Sequence, residues 1–227
     1  MTPLLCRLSI LLWHLQSGQG RNSIASGISW TSQTDIISVT TRDLASYTWN
    51  KEVVAGNWDD PDNWIVTKVP ADGIVAGYPV DSNNGIDFEA GTVATVYISD
   101  NFYNLEDLHF GSRDGLRLRF VGKDASTSKI SFDMFAGGMN DEYVEFSALT
   151  LGEKDTIDSG VGNYASTNSV FKFTNGAVFN QSGSFLNIKG TNVTFAVESG
   201  SSVSYRYMTL GSAIGDALVV DDASLTV

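Results

Sequence analysis

Along most of this chain apolar and polar positions alternate with a period of two, in stretches that are short and frequently closed by glycine. "LRLRF" (Leu116 to Phe120) is one such stretch, and "ATVYI" (Ala94 to Ile98) is another. Alternation of this kind places apolar side chains on one face of a strand and polar ones on the other. "LHFG" (Leu108 to Gly111), "LTLG" (Leu149 to Gly152), "LNIKG" (Leu186 to Gly190) and "MTLG" (Met208 to Gly211) echo one another as an apolar pair closed by glycine. A second set lies between them. "FKFTNGAV" (Phe171 to Val178), "FAVESGSSV" (Phe195 to Val203) and "LVVDDASL" (Leu218 to Leu225) align at spacings of 24 and 23 residues, with Gly176, Gly200 and Ala223 in the same register. A strand-like repeat in the low twenties with turn residues at fixed offsets predicts an all-β, parallel β-helix (β-solenoid), with rungs about 4.8 Å apart.

Phe171, Phe173, Phe195, Val197, Leu218 and Val220 are then expected to stack in two inward columns. From Tyr47 onward the length suits about eight rungs and roughly 38 Å of stack. The alternative is a β-sandwich, which also has many short strands and Gly-rich turns; the constant offset between copies favours the solenoid. The repeat fades between Lys123 and Asn168, where "FAGGMNDEY" and "GEKDTIDSGVGNYASTN" read as longer excursions, the places where a solenoid carries a site.

Composition narrows the function classes. At 227 residues and 42% hydrophobic the chain has enough apolar material for a substantial core, and 26 Asp+Glu against 14 Lys+Arg give a net charge of -12. A phosphate backbone would repel such a chain, which argues against nucleic acid as a partner. The single cysteine, Cys6, allows no internal disulfide and no cysteine-based metal site. Residues 1–30 read as a signal peptide and leader: Arg7 precedes the apolar run "LSILLWHL", a small polar tail follows, and no acidic residue appears before Asp35. His14 interrupts the run, and no apolar run of about 18 residues exists to span a bilayer as a helix. Residues 31–46 read as a linker, 47–107 as a Trp-rich cap with the first rungs, and 108–227 as the repeats.

"TWNKEVVAGNWDDPDNW" (Thr48 to Trp64) concentrates Trp49, Trp58 and Trp64, three of the five tryptophans, where a solenoid needs its end closed. Asp60 and Asp62 suit turn caps, Pro61 fixes φ, and Trp64 is placed to fold back on Trp58. This opening is followed by Pro70, Pro79, "IDF" (Ile86 to Phe88), "ATVYI" and "LEDLHFG" (Leu105 to Gly111), an order that resembles the start of bacterial secreted proteins with autotransporter-associated β-strand repeats. The resemblance spans Tyr47 to Val227. It implies a right-handed parallel β-helix, export to the cell surface or outer membrane, and a structural or adhesive role without catalytic residues. Such proteins continue through further repeats to a β-barrel or sorting tail, so it also implies that this chain is a segment of a longer one.

No nucleophile elbow, phosphate loop, dinucleotide fingerprint or zinc spacing is present. "DDPDN" departs from a calcium loop, because Pro61 takes a ligand position and the loop glycine and terminal Glu are missing. The expectation is therefore no enzyme, no cofactor and no metal. The competing readings are a carbohydrate-active β-helix enzyme, a polysaccharide lyase or glycosidase needing paired carboxylates or a basic proton acceptor, and a glycan-binding module. For these the candidate contacts are Trp49, Trp58 and Trp64 through ring stacking, and Arg117 and Arg119, which alternate outward in "LRLRF". His109 falls on the outward phase of its strand, with no Ser, Cys or His partner near it in sequence. The expected partners are a surface polysaccharide, another cell-surface protein, or a second copy meeting the apolar C-terminal rung; Val219 and Thr226 are the outward positions there.

Overall fold

The computed structural model describes residues 45–80, 84–99, 102–109, 114–135, 140–152, 167–188, 190–210 and 215–227. For 102–109, 131–135, 152, 180–188, 206–207 and 209–210 the backbone alone is described. The signal-peptide reading, Cys6 and most of the linker lie outside this range, as does the excursion at 153–166. The described residues lie within one compact unit, Arg42–Val227. The Trp-rich cap and the repeats share one continuous core, and Ala45 and Ser46 lie in a strand.

The described residues form strands and turns, with a single short 3-10 turn at Pro61–Asn63. One set of strands is β1 (Ala45–Trp49), β3 (Trp64–Lys68), β4 (Asn84–Asp87), β6 (Phe102–His109), β8 (Lys129–Phe135), β10 (Thr150–Gly152), β12 (Val178–Ile188), β14 (Ser202–Leu210) and β16 (Ser224–Thr226). The other is β2 (Ala55–Asn57), β5 (Val93–Ile98), β7 (Arg117–Gly122), β9 (Tyr143–Ser147), β11 (Val170–Thr174), β13 (Thr194–Glu198) and β15 (Ala217–Asp221). Each set is one sheet, stacked in chain order apart from the first sheet's end, where β3 lies outside β1. From β4 onward the chain alternates between the sheets and every pairing is parallel, so the molecule is a β-solenoid and not a sandwich of antiparallel sheets. Seven strands in the second sheet make six rung spacings, about 29 Å of stack.

The register sets the core. Ala94, Leu118, Val144, Phe171, Phe195 and Leu218 are successive partners in the second sheet, and Val96, Phe120, Phe146, Phe173, Val197 and Val220 form the column beside them. Ile130, Leu151, Phe179, Val203 and Leu225 face them from the first sheet. Of the six residues expected to point inward, Phe171, Phe173, Phe195 and Val197 are fully buried. Leu218 is half-buried and Val220 is 46% exposed although it keeps the inward phase, because both sit on the last strand of their sheet. The echo between "LTLG" and "MTLG" does not survive folding. Leu151 lies in a short first-sheet strand, β10, at the register position of Phe179, whereas Met208 lies in the second half of β14 and pairs with Leu186 in the ladder.

Two devices shape the coils. The long first-sheet strands pair in two segments separated by a bulge, where β12 carries two residues more than β14 and β6 one more than β8, so each strand turns a corner there. The sheets are then joined by tight turns. Asn175 (φ 53) and Gly176 (φ 76) occupy the centre of one, closed by Ala177 N–H donating to Thr174 O at 3.2 Å. Ser199 (φ 52) and Gly200 (φ 76) repeat it a rung later. Two successive positive φ values define a type I′ turn, which glycine and asparagine occupy at little cost.

Phe146 touches Phe120, Phe171 and Phe173 at centroid distances of 5.3, 5.5 and 5.5 Å. Phe146→Ala should lower the unfolding free energy in urea titration by about 3–5 kcal/mol, while Val220→Ala, on the open rung, should cost less than about 1 kcal/mol. Glycines separate by cause. At Gly176 a Cβ meets nothing within 4 Å and the cost is that of the positive φ (76) alone, which asparagine tolerates best, so Gly176→Asn should cost about 1 kcal/mol; at Gly122 it would lie 2.2 Å from the backbone oxygen of Ala148, so Gly122→Ala should be the more destabilising of the two.

Candidate functional site

Among the described residues Trp49, Trp58 and Trp64 pack together at the N-terminal end of the core. Trp49 ends β1, Trp64 opens the antiparallel β3 opposite it, and Trp58 follows β2 on the other sheet. Trp64 packs edge-on against Trp49 and Trp58 at 5.0 and 4.8 Å, and Trp49 stacks on Phe88 at 6.4 Å. Phe88 meets Phe120 at 5.8 Å, which joins the cluster to the Phe column. Each of these three indole N–H groups is used internally: Trp49 donates to Val53 O, Trp58 to Pro79 O and Trp64 to Trp58 O, at 2.7 to 2.9 Å. Asp60 caps the 3-10 turn by accepting from Asp62 N–H at 3.1 Å. Trp49 and Trp58 are fully buried and Trp64 is buried as well, so none of the three turns a ring face to solvent on which a sugar could stack.

Arg117 and Arg119 stand on the outer face of the second sheet, as strand alternation requires, and each meets an acid one rung on. Arg117 Nη2 reaches Asp141 Oδ1 at 3.0 Å, with both side chains well exposed. Arg119 Nε and Nη2 donate to Glu145 Oε1 at 3.1 and 3.0 Å, and the Tyr143 hydroxyl donates to Glu145 Oε2. Lys172 and Glu198 continue the pattern at 2.6 Å. Glu145 faces outward in phase yet is buried among these neighbours. Both oxygens of its carboxylate accept hydrogen bonds from these neighbours.

Sequence reasoning picked the arginines and missed Tyr143, Glu145, Lys172 and Glu198. The signal that finds them is the register itself, since Arg119 and Glu145 are 26 residues apart and one rung apart.

The remaining candidates stay separate. Among the described residues no group of three or more His, Cys, Asp or Glu is placed to hold a metal ion. In "NDE", Asp141 is exposed beside Arg117 while Glu142 is buried, so the two acids diverge. Asp221 ends β15 and Asp222 (φ 47) turns the chain toward β16. The side chain of His109 is outside the described residues.

The network has a pH signature. The Glu145 hydrogen bond and charge raise the Arg119 pKa. Burial first, then the hydrogen bond to Glu145 and its charge, raise the Tyr143 pKa above the usual tyrosine value. A folded-state pKa above the unfolded one contributes stability that is complete below the unfolded value, about 10, and is lost as pH rises through the folded value. Wild type should therefore lose stability more steeply above about pH 10 than Tyr143→Phe, read from unfolding midpoints against pH. Equal slopes would remove Tyr143 from the network. For the cap, Trp58→Phe should cost about 1–3 kcal/mol, since it leaves the buried Pro79 carbonyl without its donor, and thermal unfolding measures it.

No protein-family model matches the chain, no curated protein matches it, and no solved structure matches its fold.

Proposed function

We propose that the chain is an exported structural or adhesive β-solenoid module of a cell-surface protein. One observation carries the reading: the chemistry-bearing side chains picked out by sequence are spent on the fold. Trp49, Trp58 and Trp64 lie in the core, Arg117 and Arg119 are paired across rungs, and Glu145 accepts hydrogen bonds on both carboxylate oxygens. A stack of this kind is a spacer and a display surface, because each rung rests on its neighbours and its outer columns form continuous lines along the stack. The signal-like residues 1–30 support export, and the order of the Trp cluster and the repeats supports the resemblance to autotransporter-associated repeat proteins. Among the described residues no helix is long and apolar enough to cross a membrane.

Two measurements test this. Expressed with residues 1–30 in a bacterial host, the chain should reach the exported fraction with its N-terminus removed; full-length protein retained inside the cell overturns export. Incubated with acidic and neutral polysaccharides, the purified chain should release no product. Released sugar overturns the structural reading in favour of a carbohydrate-active enzyme, and retention without cleavage assigns the adhesive role to glycan.

A further inference from the structure

The sequence holds two Asn–Gly pairs, Asn84–Gly85 and Asn175–Gly176. Glycine has no Cβ, so its amide nitrogen can approach the side-chain carbonyl of a preceding asparagine without hindrance. Folding treats the two pairs differently. Asn84 is buried in β4, where its Oδ1 accepts from Val80 N–H at 2.7 Å, and Gly85 is laddered to Ser46 on one side and to Asp107 on the other. Asn175 is exposed at the corner between β11 and β12. Its turn is held by Gly176 N–H donating to Ser199 O at 2.9 Å one rung on, by Asn175 Nδ2 donating to Ser147 Oγ at 2.9 Å one rung back, and by Ala177 N–H donating to Thr174 O at 3.2 Å. Beside Gly176 there is open space, since a Cβ built there meets nothing within 4 Å.

We propose that Asn175 is a site of spontaneous deamidation in the folded chain, with the cross-rung contacts of its turn as the gate. In this reaction the Gly176 nitrogen forms a bond to Asn175 Cγ and the Cγ–Nδ2 bond breaks. Nδ2 leaves as ammonia, taking the proton that the Gly176 nitrogen gives up. Water then adds to either carbonyl of the resulting cyclic imide, which opens to aspartate or to isoaspartate, whose backbone runs through Cβ and Cγ. The nitrogen cannot attack while its N–H is held by Ser199 O, so the rate follows the fraction of time the turn is open. At Asn175 that opening breaks the contacts of a single corner, whereas at Asn84 it requires β4 to leave both β1 and β6. The two products differ in fit. Asp222 occupies the same corner two rungs on, with φ 47 against 53 for Asn175, so aspartate is accommodated at this left-handed position. Isoaspartate instead adds a backbone atom to a tight turn that joins two sheets in fixed register, and so loosens the corner.

The test holds the purified full chain at mildly alkaline pH, folded in one arm and unfolded in guanidinium chloride in the other. Peptides are mapped by mass for the gain that marks an amide turned to an acid, and isoaspartate is separated from aspartate by chromatography. In denaturant both Asn–Gly pairs should convert at similar rates. In the folded chain Asn175 should convert well ahead of Asn84. Ser147→Ala removes the acceptor of Asn175 Nδ2 and no backbone bond of the turn, so it should raise the folded-state rate at Asn175 about fivefold, the weight of one hydrogen bond, and leave Asn84 unmoved. Conversion of both pairs in denaturant alone, conversion of Asn84 first, or a rate at Asn175 that Ser147→Ala does not move overturns the proposal. If that variant does not fold, hydrogen exchange in the wild type makes the same test: the Gly176 amide should exchange faster than the Gly85 amide, and the reverse order overturns the gate.

Discussion

Everything in this molecule depends on parallel, in-register stacking. When strands pair in this way, each side chain rests on the residue one coil earlier at the same position around the coil. Columns then have to be chemically consistent along their length. Phe120, Phe146 and Phe173 satisfy this inside by stacked rings. Arg119 and Glu145 satisfy it outside by opposite charge, Lys172 and Glu198 by the same means between neighbouring columns, and Asn168 and Asn192 satisfy it at a corner by an amide pair at 3.0 Å. Aromatic, ionic and amide stacks are three solutions to one geometric demand, and none of them requires a ligand.

The same demand makes the ends special. An interior rung has a neighbour on each side, whereas a terminal rung presents half of its core and one row of its backbone groups. At the N-terminal end the chain reverses direction, so that β3 runs antiparallel to β1 and three indoles fill the volume that a further rung would have filled. Each indole N–H finds a backbone carbonyl, so a large aromatic surface is buried without stranding a donor. The Trp-rich segment is thus a plug, and its tryptophan content reflects the size of the opening to be closed.

Functional groups on a solenoid have to escape their column to reach a ligand. Glu145 illustrates the difficulty: an outward carboxylate in the middle of a sheet face lies between a guanidinium, a phenol and an ammonium column, and is buried by them. On this sheet face the charged side chains compensate one another across rungs, as Arg117 and Asp141, Arg119 and Glu145, and Lys172 and Glu198 do. This pairing is what supports the proposal that the chain is a module that spans or displays.

The chain's own residues determined the period, the strand character and the identity of the stacked columns, because those follow from local alternation and from turn residues such as Asn175, Gly176, Ser199 and Gly200 that admit positive φ. The 23 to 24 residue offset placed Phe171 on Phe195 and Phe173 on Val197 correctly. It could not place Arg119 on Glu145 or Phe146 on Phe173, where the coil is longer; there a fixed offset loses the register while the pairing hydrogen bonds keep it. Nor could it separate "LTLG" from "MTLG", since a short apolar pair before glycine reads the same at any corner of the coil. Only the tertiary structure decided that the tryptophans face the core, that the arginines are paired, and that Val220 keeps an inward phase without being covered. Burial and pairing belong to what lies one rung away, and that distance is set by the length of a whole coil rather than by neighbours in sequence.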